Sequence, residues 1–420
     1  MVVPFTYFTT LTVWLLFCTF IGGAIVLAVS PNIGFVNAAF LATSAWGGTG
    51  LYSVEARDVS ADGLTILYIL MYCGGPCILL LPPMIFRRVS YSKIRPELLN
   101  FLKSEKDSNA PIAKSLVEVI DQCEMIHRAL GMTIFLVVMH NFFWLFFGTF
   151  IMYGINMHYD DPPELVQRGF SKLWASAYIT ATGFFNCGFV LTSDSLFQYI
   201  DKKGVYVWCT VLILAGNTLA PLCLRALLKL MHTFADPLRL DKPALRFALD
   251  NPRLMTTHLF STRQTLLLSL FVLAIDASEF IFFVASELDR PELQAYGDMP
   301  TLVGIGYFQC ISTRSAGLQV VDIRLCNQGL LVLYMLGMYV SSAPLVSQMH
   351  ASSQHIDDEG TPQNRHADAA SVARAFSSTY LFRHTAGLFL AIIVCAFAED
   401  RRYSAQDASL FYIIFEIFSA

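Results

Sequence analysis

A chain of 420 residues that is 55% hydrophobic and only 14% charged departs from soluble globular domains, about a quarter of whose residues are charged. That balance excludes an ordinary water-soluble protein and points to an integral membrane protein. A net charge of -4 without a long basic run also argues against a nucleic-acid partner.

In chain order, residues 5–30 form a first spanning segment, since about 20 apolar residues cross a bilayer. No acidic or basic residue precedes Glu55. The positive start of a signal peptide is therefore lacking, the helix is read as retained, and a preceding tail is expected to be missing. Pro31-Asn32 ends it. Residues 36–46 are apolar but too short to span, and a loop over 47–53 follows. Residues 64–86 make a second span, broken by Gly74-Gly75-Pro76 and Pro82-Pro83, and then come Arg87, Arg88, Lys93, Arg95, Lys103 and Lys106.

The pattern then restarts. Residues 130–155 span, Asp161-Pro162-Pro163-Glu164 is a polar turn, and 173–184 is short and apolar. Residues 205–230 span with interruptions at Gly216-Asn217-Thr218 and Pro221, before a basic connector that includes Arg225, Lys229, Arg239, Lys242 and Arg246. In a third copy 266–284 spans, although Asp276 and Glu279 fall inside it without an evident reason. An acidic loop holds Glu287, Asp289, Glu292 and Asp298, and 301–313 is short. Residues 330–349 span, broken at Gly337 and at Ser341-Ser342-Ala343-Pro344. A polar linker over 350–374 leads to a fourth copy, with a span over 380–397, an N-cap at Ser404 with Asp407 three residues on, and a short apolar segment over 410–418.

The expected fold is thus an all-α polytopic membrane protein of repeated helix–pore loop–helix units. Residues 1–88 are the first repeat, 128–232 the second, 263–349 the third and 379–420 an incomplete fourth. Cytosolic connectors cover 89–127, 233–262 and 350–378. The arginines and lysines after residues 86 and 230 put those connectors in the cytosol by the positive-inside rule, so the pore loops open outward.

The organising stretch is 181–195, Ala-Thr-Gly-Phe-Phe-Asn-Cys-Gly-Phe-Val-Leu-Thr-Ser-Asp-Ser. Its glycines and polar residues make a poor transmembrane helix, and non-helical backbone at that depth is tolerated only under protein cover or beside water. It reads as a re-entrant loop lining a pathway. Similar stretches occupy 39–54 and 308–322, each with a glycine followed by a bulky apolar residue: Gly50-Leu51, Gly188-Phe189 and Gly317-Leu318. Such loops suit alkali cations. Stacked carbonyls replace lost water, glycine permits the backbone to turn them inward, and the helix C-terminal ends disfavour anions. Glu55, Asp194 and Asp322 are candidates for concentrating cations at the mouth.

Other chemistry finds no foothold. The ten cysteines form no Cys-x-x-Cys pair and read mostly as small apolar residues, and His350 with His355 is not expected to bind metal. No His-x-x-x-His pair, Gly-x-Ser-x-Gly elbow or phosphate loop lies in a spanning segment, so no enzyme and no cofactor is expected.

These motifs together resemble the Trk/Ktr/HKT superfamily of potassium and sodium transporters, closest to its HKT branch. Ser44-Ala45 through Thr49-Gly50-Leu51 resembles the first filter. Phe185 to Val190 with Thr192 resembles the second, and Thr313-Arg314-Ser315-Ala316-Gly317 the third. Gly216-Asn217-Thr218 resembles the family's Gly-Asn-Thr helix, Asn251-Pro252-Arg253 its connector, and residues 415–420 the lead-in to a fourth filter. The resemblance implies a pseudo-fourfold pore, pairing as homodimers in the lipid bilayer of the plasma membrane, and K+ or Na+ as transported ions with no other metal. It implies a filter of Thr49, Gly50 and Leu51; Asn186, Cys187, Gly188 and Phe189; and Ala316, Gly317 and Leu318. Gly50, rather than a serine there, implies potassium permeation. Gly337, Ser341, Ser342 and Pro344 fall at the family's gate, although a helix simply ending at Pro344 explains them equally. Arg314 either braces the filter through backbone carbonyls or contacts the acidic outer loop. Because the sequence stops where a fourth filter should begin, it reads as a fragment; the alternative is a non-conducting pseudotransporter.

Overall fold

The computed structural model describes residues 7–104, 110–288, 290–294, 296–339 and 414–415. Helices dominate because backbone surrounded by lipid must satisfy its own hydrogen bonds. Helix α1 (Tyr7–Val29) leads into α2 (Phe35–Gly47), a short 3-10 turn and then α3 (Ala61–Gly74), which Ser60 caps by accepting from the Gly63 N–H at 3.0 Å. Helix α4 (Leu81–Ser104) precedes α5 (Ala110–Asn156), and α6 (Pro163–Gln167) is a single turn before α7 (Lys172–Phe185). Next come α8 (Lys203–Ile213), α9 (Ala220–Thr233), α10 (Lys242–Asp250) and α11 (Pro252–Met255). Helix α12 (Thr262–Glu287) starts with a capping box between Ser261 and Gln264, and α13 (Pro291–Gln294), α14 (Met299–Ser315) and α15 (Gln328–Tyr339) follow.

Among the described residues, three helices are long and apolar enough to cross a membrane: Thr12–Val29, Val117–Asn156 and Thr262–Glu287. Their outer faces expose Phe17 and Phe20, Phe143 and Phe147, and Leu266 and Leu270. Such a surface would drive aggregation in water and is at ease against acyl chains. The short helices α2, α7 and α14 lie inside. Helix α2 packs on α1 and α3, α7 on α5 and α8, and α14 on α12 and α15. Helix α7 also meets α3, and α14 meets α8, so neighbouring units pack on one another. One core joins Trp46 and Leu67 to Tyr178 and Phe184 and on to Tyr206 and Phe308.

Two features sharpen the sequence reading. First, the interruptions expected within 64–86 and 205–230 are true breaks between helices. Helix α3 stops at Gly74 and α4 begins at Leu81, while α8 and α9 meet at 83°. The second break passes through a π-helical turn (Leu214–Thr218), and Pro221 lacks the N–H a straight helix would need. Secondly, most of residues 89–127 is helical, as extensions of α4 and α5 that pack together through buried Met84, Ala129 and Leu130. The linker 350–374, the span 380–397 and the Ser404 cap lie outside the described residues, as does all of 410–418 except Ile414 and Phe415.

Glycine is demanded where second helices cross pore helices. A Cβ on Gly216 would lie 3.0 Å from the Phe184 Cα, and one on Gly74 would lie 2.9 Å from the Trp46 Cα. Gly216→Ala is expected to cost roughly 1–3 kcal/mol through overpacking. Thermal unfolding of detergent-purified protein checks this; an unchanged melting profile would show that the crossing relaxes freely.

Candidate ion-selectivity filter

The three pore helices end alike. The Thr49 N–H donates to the Ser44 carbonyl at 3.0 Å, the Cys187 N–H to Thr182 at 3.0 Å and the Gly317 N–H to Ser312 at 2.8 Å. Each bond links a residue to the fifth before it, the wider closure of a helix C-terminus, and releases the chain as an extended loop. Gly48 and Asn186 then take left-handed conformations, whereas Ala316 does not. Asparagine tolerates that region better than most residues.

Beyond these caps, Gly50, Gly188 and Gly317 have φ of +67°, +82° and +65°, where other residues are strained. The loops converge. A Cβ on Gly50 would lie 2.8 Å from the Gly188 Cα and would overlap the Cys187 carbonyl oxygen. A Cβ on Gly188 would lie 2.8 Å from the Ala316 carbonyl oxygen and 3.3 Å from the Gly50 Cα. Each of these two glycines therefore abuts the residue preceding the next loop's glycine. This brings Thr49, Gly50 and Leu51 together with Asn186 to Phe189 and with Ala316 to Leu318, at the C-terminal ends of three helices whose dipoles disfavour anions.

Side chains fix the loops to one another. The Tyr52 hydroxyl donates to the Val190 carbonyl at 2.7 Å and accepts from its N–H at 3.2 Å, with its ring edge-on to Phe189. The Cys187 thiol donates to the Ala45 carbonyl at 3.4 Å, a role beyond that of a small apolar residue. Loops two and three are joined by the Leu196 N–H donating to the Gln319 carbonyl at 2.9 Å and the Gln319 N–H donating to Ser195 Oγ at 3.0 Å. Ser312 Oγ donates to the Leu318 carbonyl at 2.7 Å. Buried Thr182 Oγ1 and both amide atoms of Asn186 have no protein partner. Such atoms are costly unless water or an ion meets them, which suits a wet pathway.

Arg314 has a different partner from either expected one. Its side chain is 2% exposed, and its Nη2 lies 3.1 Å from Asp276 Oδ1 on α12. Glu279, one turn further along α12, is fully buried against Gly337 of α15, with neither carboxylate oxygen hydrogen-bonded among the described residues. The two acids unexplained by the sequence therefore face the end of the third pore helix. Their spacing of three within an apolar span was the legible signal, because a helix puts such residues on one face. Of the gate candidates, Gly337 is buried beside this cluster, and Ser341, Ser342 and Pro344 lie outside the described residues.

The expected mouth charges are largely neutralised. Glu55 is 2.5 Å from Arg57 Nε, and Asp322 is 2.7 Å from Arg324 Nη2, whose hydrogen bonds hold the Asp322 carboxyl below its usual range. Asp194 is exposed.

Re-entrant helices ending on convergent glycine loops, inside a bundle with a lipid-facing exterior, define a polytopic pore-loop membrane protein. The TrkH family profile, described as a cation transport protein, matches residues 6–420, and the chain belongs to that family of ion transporters, which are not enzymes. It is 27% identical over 266 residues to the potassium transporter TRK1 of Candida albicans, covering 61% of this chain and 25% of that one. It is 28% identical over 255 residues to a putative potassium transport protein of Dictyostelium discoideum, covering 60% of this chain and 37% of that one. It is also 24% identical over 396 residues to the probable cation transporter HKT2;3 of Oryza sativa subsp. japonica, covering 93% of this chain and 76% of that one. The chain thus spans a quarter to about a third of the length of the first two relatives.

Proposed function

We propose that this protein carries monovalent cations, K+ and also Na+, across the plasma membrane through a filter of backbone carbonyls at Thr49-Gly50-Leu51, Asn186-Cys187-Gly188-Phe189 and Ala316-Gly317-Leu318. The observation that supports this best is Gly188, wedged between Gly50 and the Ala316 carbonyl at positive φ. That arrangement favours carbonyl ligands over side chains, as a dehydrated alkali cation requires. Membership in a cation transport family and the potassium transporters among its relatives support the substrate class. The ions are cargo, with no cofactor involved. Repeats over 1–88, 128–232, 263–349 and 379–420, a gate at Gly337 and pairing as a homodimer belong to the same proposal.

The test is ion uptake in cells lacking their own potassium uptake, supplied with K+ or Na+ at matched surface abundance. Rescue on limiting K+ is expected of the product of the full genomic locus, tested beside this chain. Gly50→Ser is expected to lower K+ uptake and to shift the remaining preference toward Na+, since its Cβ would overlap the Cys187 carbonyl oxygen and press on the Gly188 backbone. Well-expressed, surface-localised protein that leaves K+ uptake at background would overturn the proposal.

A further inference from the structure

One short outer helix touches both of the first two filter loops. Helix α6 lies in the turn between α5 and α7, anchored by buried Leu165. Glu164 and Arg168 lie four residues apart, a spacing that puts them on one face, yet each reaches a different neighbour. The Glu164 carboxylate accepts from the Ser193 N–H and from Ser193 Oγ, both at 2.9 Å, and from Gln198 Nε2 at 3.5 Å. Ser193 lies five residues beyond Gly188, on the outgoing limb of the second loop. The Arg168 guanidinium donates to the Ala56 carbonyl at 3.0 Å and to the Val59 carbonyl at 2.5 Å, with its Cζ 5.0 Å from the centre of the Phe170 ring. Ala56 and Val59 are buried and lie six and nine residues beyond Gly50, on the outgoing limb of the first loop.

We infer that Glu164 and Arg168 form a two-headed clamp that sets the spacing between the first and second filter loops, and are therefore positioning residues for ion selectivity. Inside, the loops meet through backbone at Gly50 and Gly188. Beyond that they meet through Tyr52, its hydroxyl on Val190 and its ring against Phe189. At the outer end the charged bonds of α6 are the tie, and charge-assisted hydrogen bonds outlast neutral ones. Selectivity in a carbonyl filter depends on where its carbonyls stand and how freely they move, so a tie that fixes two adjacent limbs relative to each other acts on the ratio of ions carried.

This inference rests on the transport reading, and the experiment separates the two. K+ and Na+ uptake are compared in the unmodified protein and in Arg168→Ala, Glu164→Ala and the milder Arg168→Lys and Ser193→Ala, all normalised to surface abundance. The K+ to Na+ ratio is expected to fall by up to about fivefold in Arg168→Ala and Glu164→Ala, the limit in which about 1 kcal/mol acts wholly on the difference between the ions, with Arg168→Lys recovering part of the loss. A merely structural role would lower surface amount and both fluxes together and leave the ratio alone. An unchanged ratio in any variant that reaches the surface, the two milder ones included, overturns the clamp. Background K+ uptake by the unmodified protein overturns the transport reading instead.

Discussion

Gly188→Ala is expected to reduce K+ uptake at least about tenfold at equal surface abundance. Two independent costs act at this position. A non-glycine residue at φ +82° is strained by about 1–2 kcal/mol, and 1.4 kcal/mol corresponds to a factor of ten. The new Cβ would also stand 2.8 Å from the Ala316 carbonyl oxygen, closer than such atoms approach, so the third loop must give way. The displaced group is itself a proposed ion ligand, so the damage falls on conduction. Gly317→Ala serves as the comparison: among the described residues its Cβ would meet nothing within 4 Å, leaving the strain of φ +65° and a smaller loss. Equal uptake by Gly188→Ala and the unmodified protein would remove Gly188 from the filter.

Arg314→Gln is expected to destabilise the protein more than any other single change considered. The substitution leaves Asp276 and Glu279 buried together with no cation beside them. Breaking a buried ion pair by removing one partner costs about 3–5 kcal/mol, a large part of the 5–15 kcal/mol that holds a typical domain folded. Loss of surface protein and a lowered melting temperature are the expected readouts. Adding Asp276→Asn should restore much of the loss, because it removes the stranded charge and lets two amides hydrogen-bond. A double-mutant cycle on purified protein measures the coupling. Additive effects of the two substitutions would mean that the 3.1 Å contact contributes nothing. Glu279→Gln is informative beside them, since its carboxylate has no hydrogen-bond partner to lose.

Elements that depend on local pattern were legible in the residues. The pore helices expected over 36–46, 173–184 and 301–313 are Phe35–Gly47, Lys172–Phe185 and Met299–Ser315, each within two residues at either end. An apolar run too short to span, closed by glycine, has few alternatives at membrane depth. The glycine-plus-bulky pairs marked the positions that take positive φ. Harder to read were features whose cause lies across the fold. The turn with Glu164 looked like any polar connection, because nothing near it in sequence shows that Ser193, Ala56 and Val59 are its neighbours. Gly216-Asn217-Thr218 signalled an interruption but not an 83° bend, which accompanies the π-helical turn and brings Gly216 against the Phe184 carbonyl.

The amino-acid sequence by itself determined membrane residence, the repeat of pore helix and glycine loop, and membership in a cation transport family. The first two follow from hydropathy, chain spacing and the steric freedom of glycine, all of which are local; family membership rests on the resemblance of the motifs and on the profile match over residues 6–420. Only the tertiary structure decided that Arg314 pairs with Asp276 rather than with the outer loop, that Glu279 lies against Gly337, and that α6 grips two loops at once. Each of those is a contact between residues 29 to 112 positions apart, and charged groups choose partners by distance and burial, which only the packed helices define.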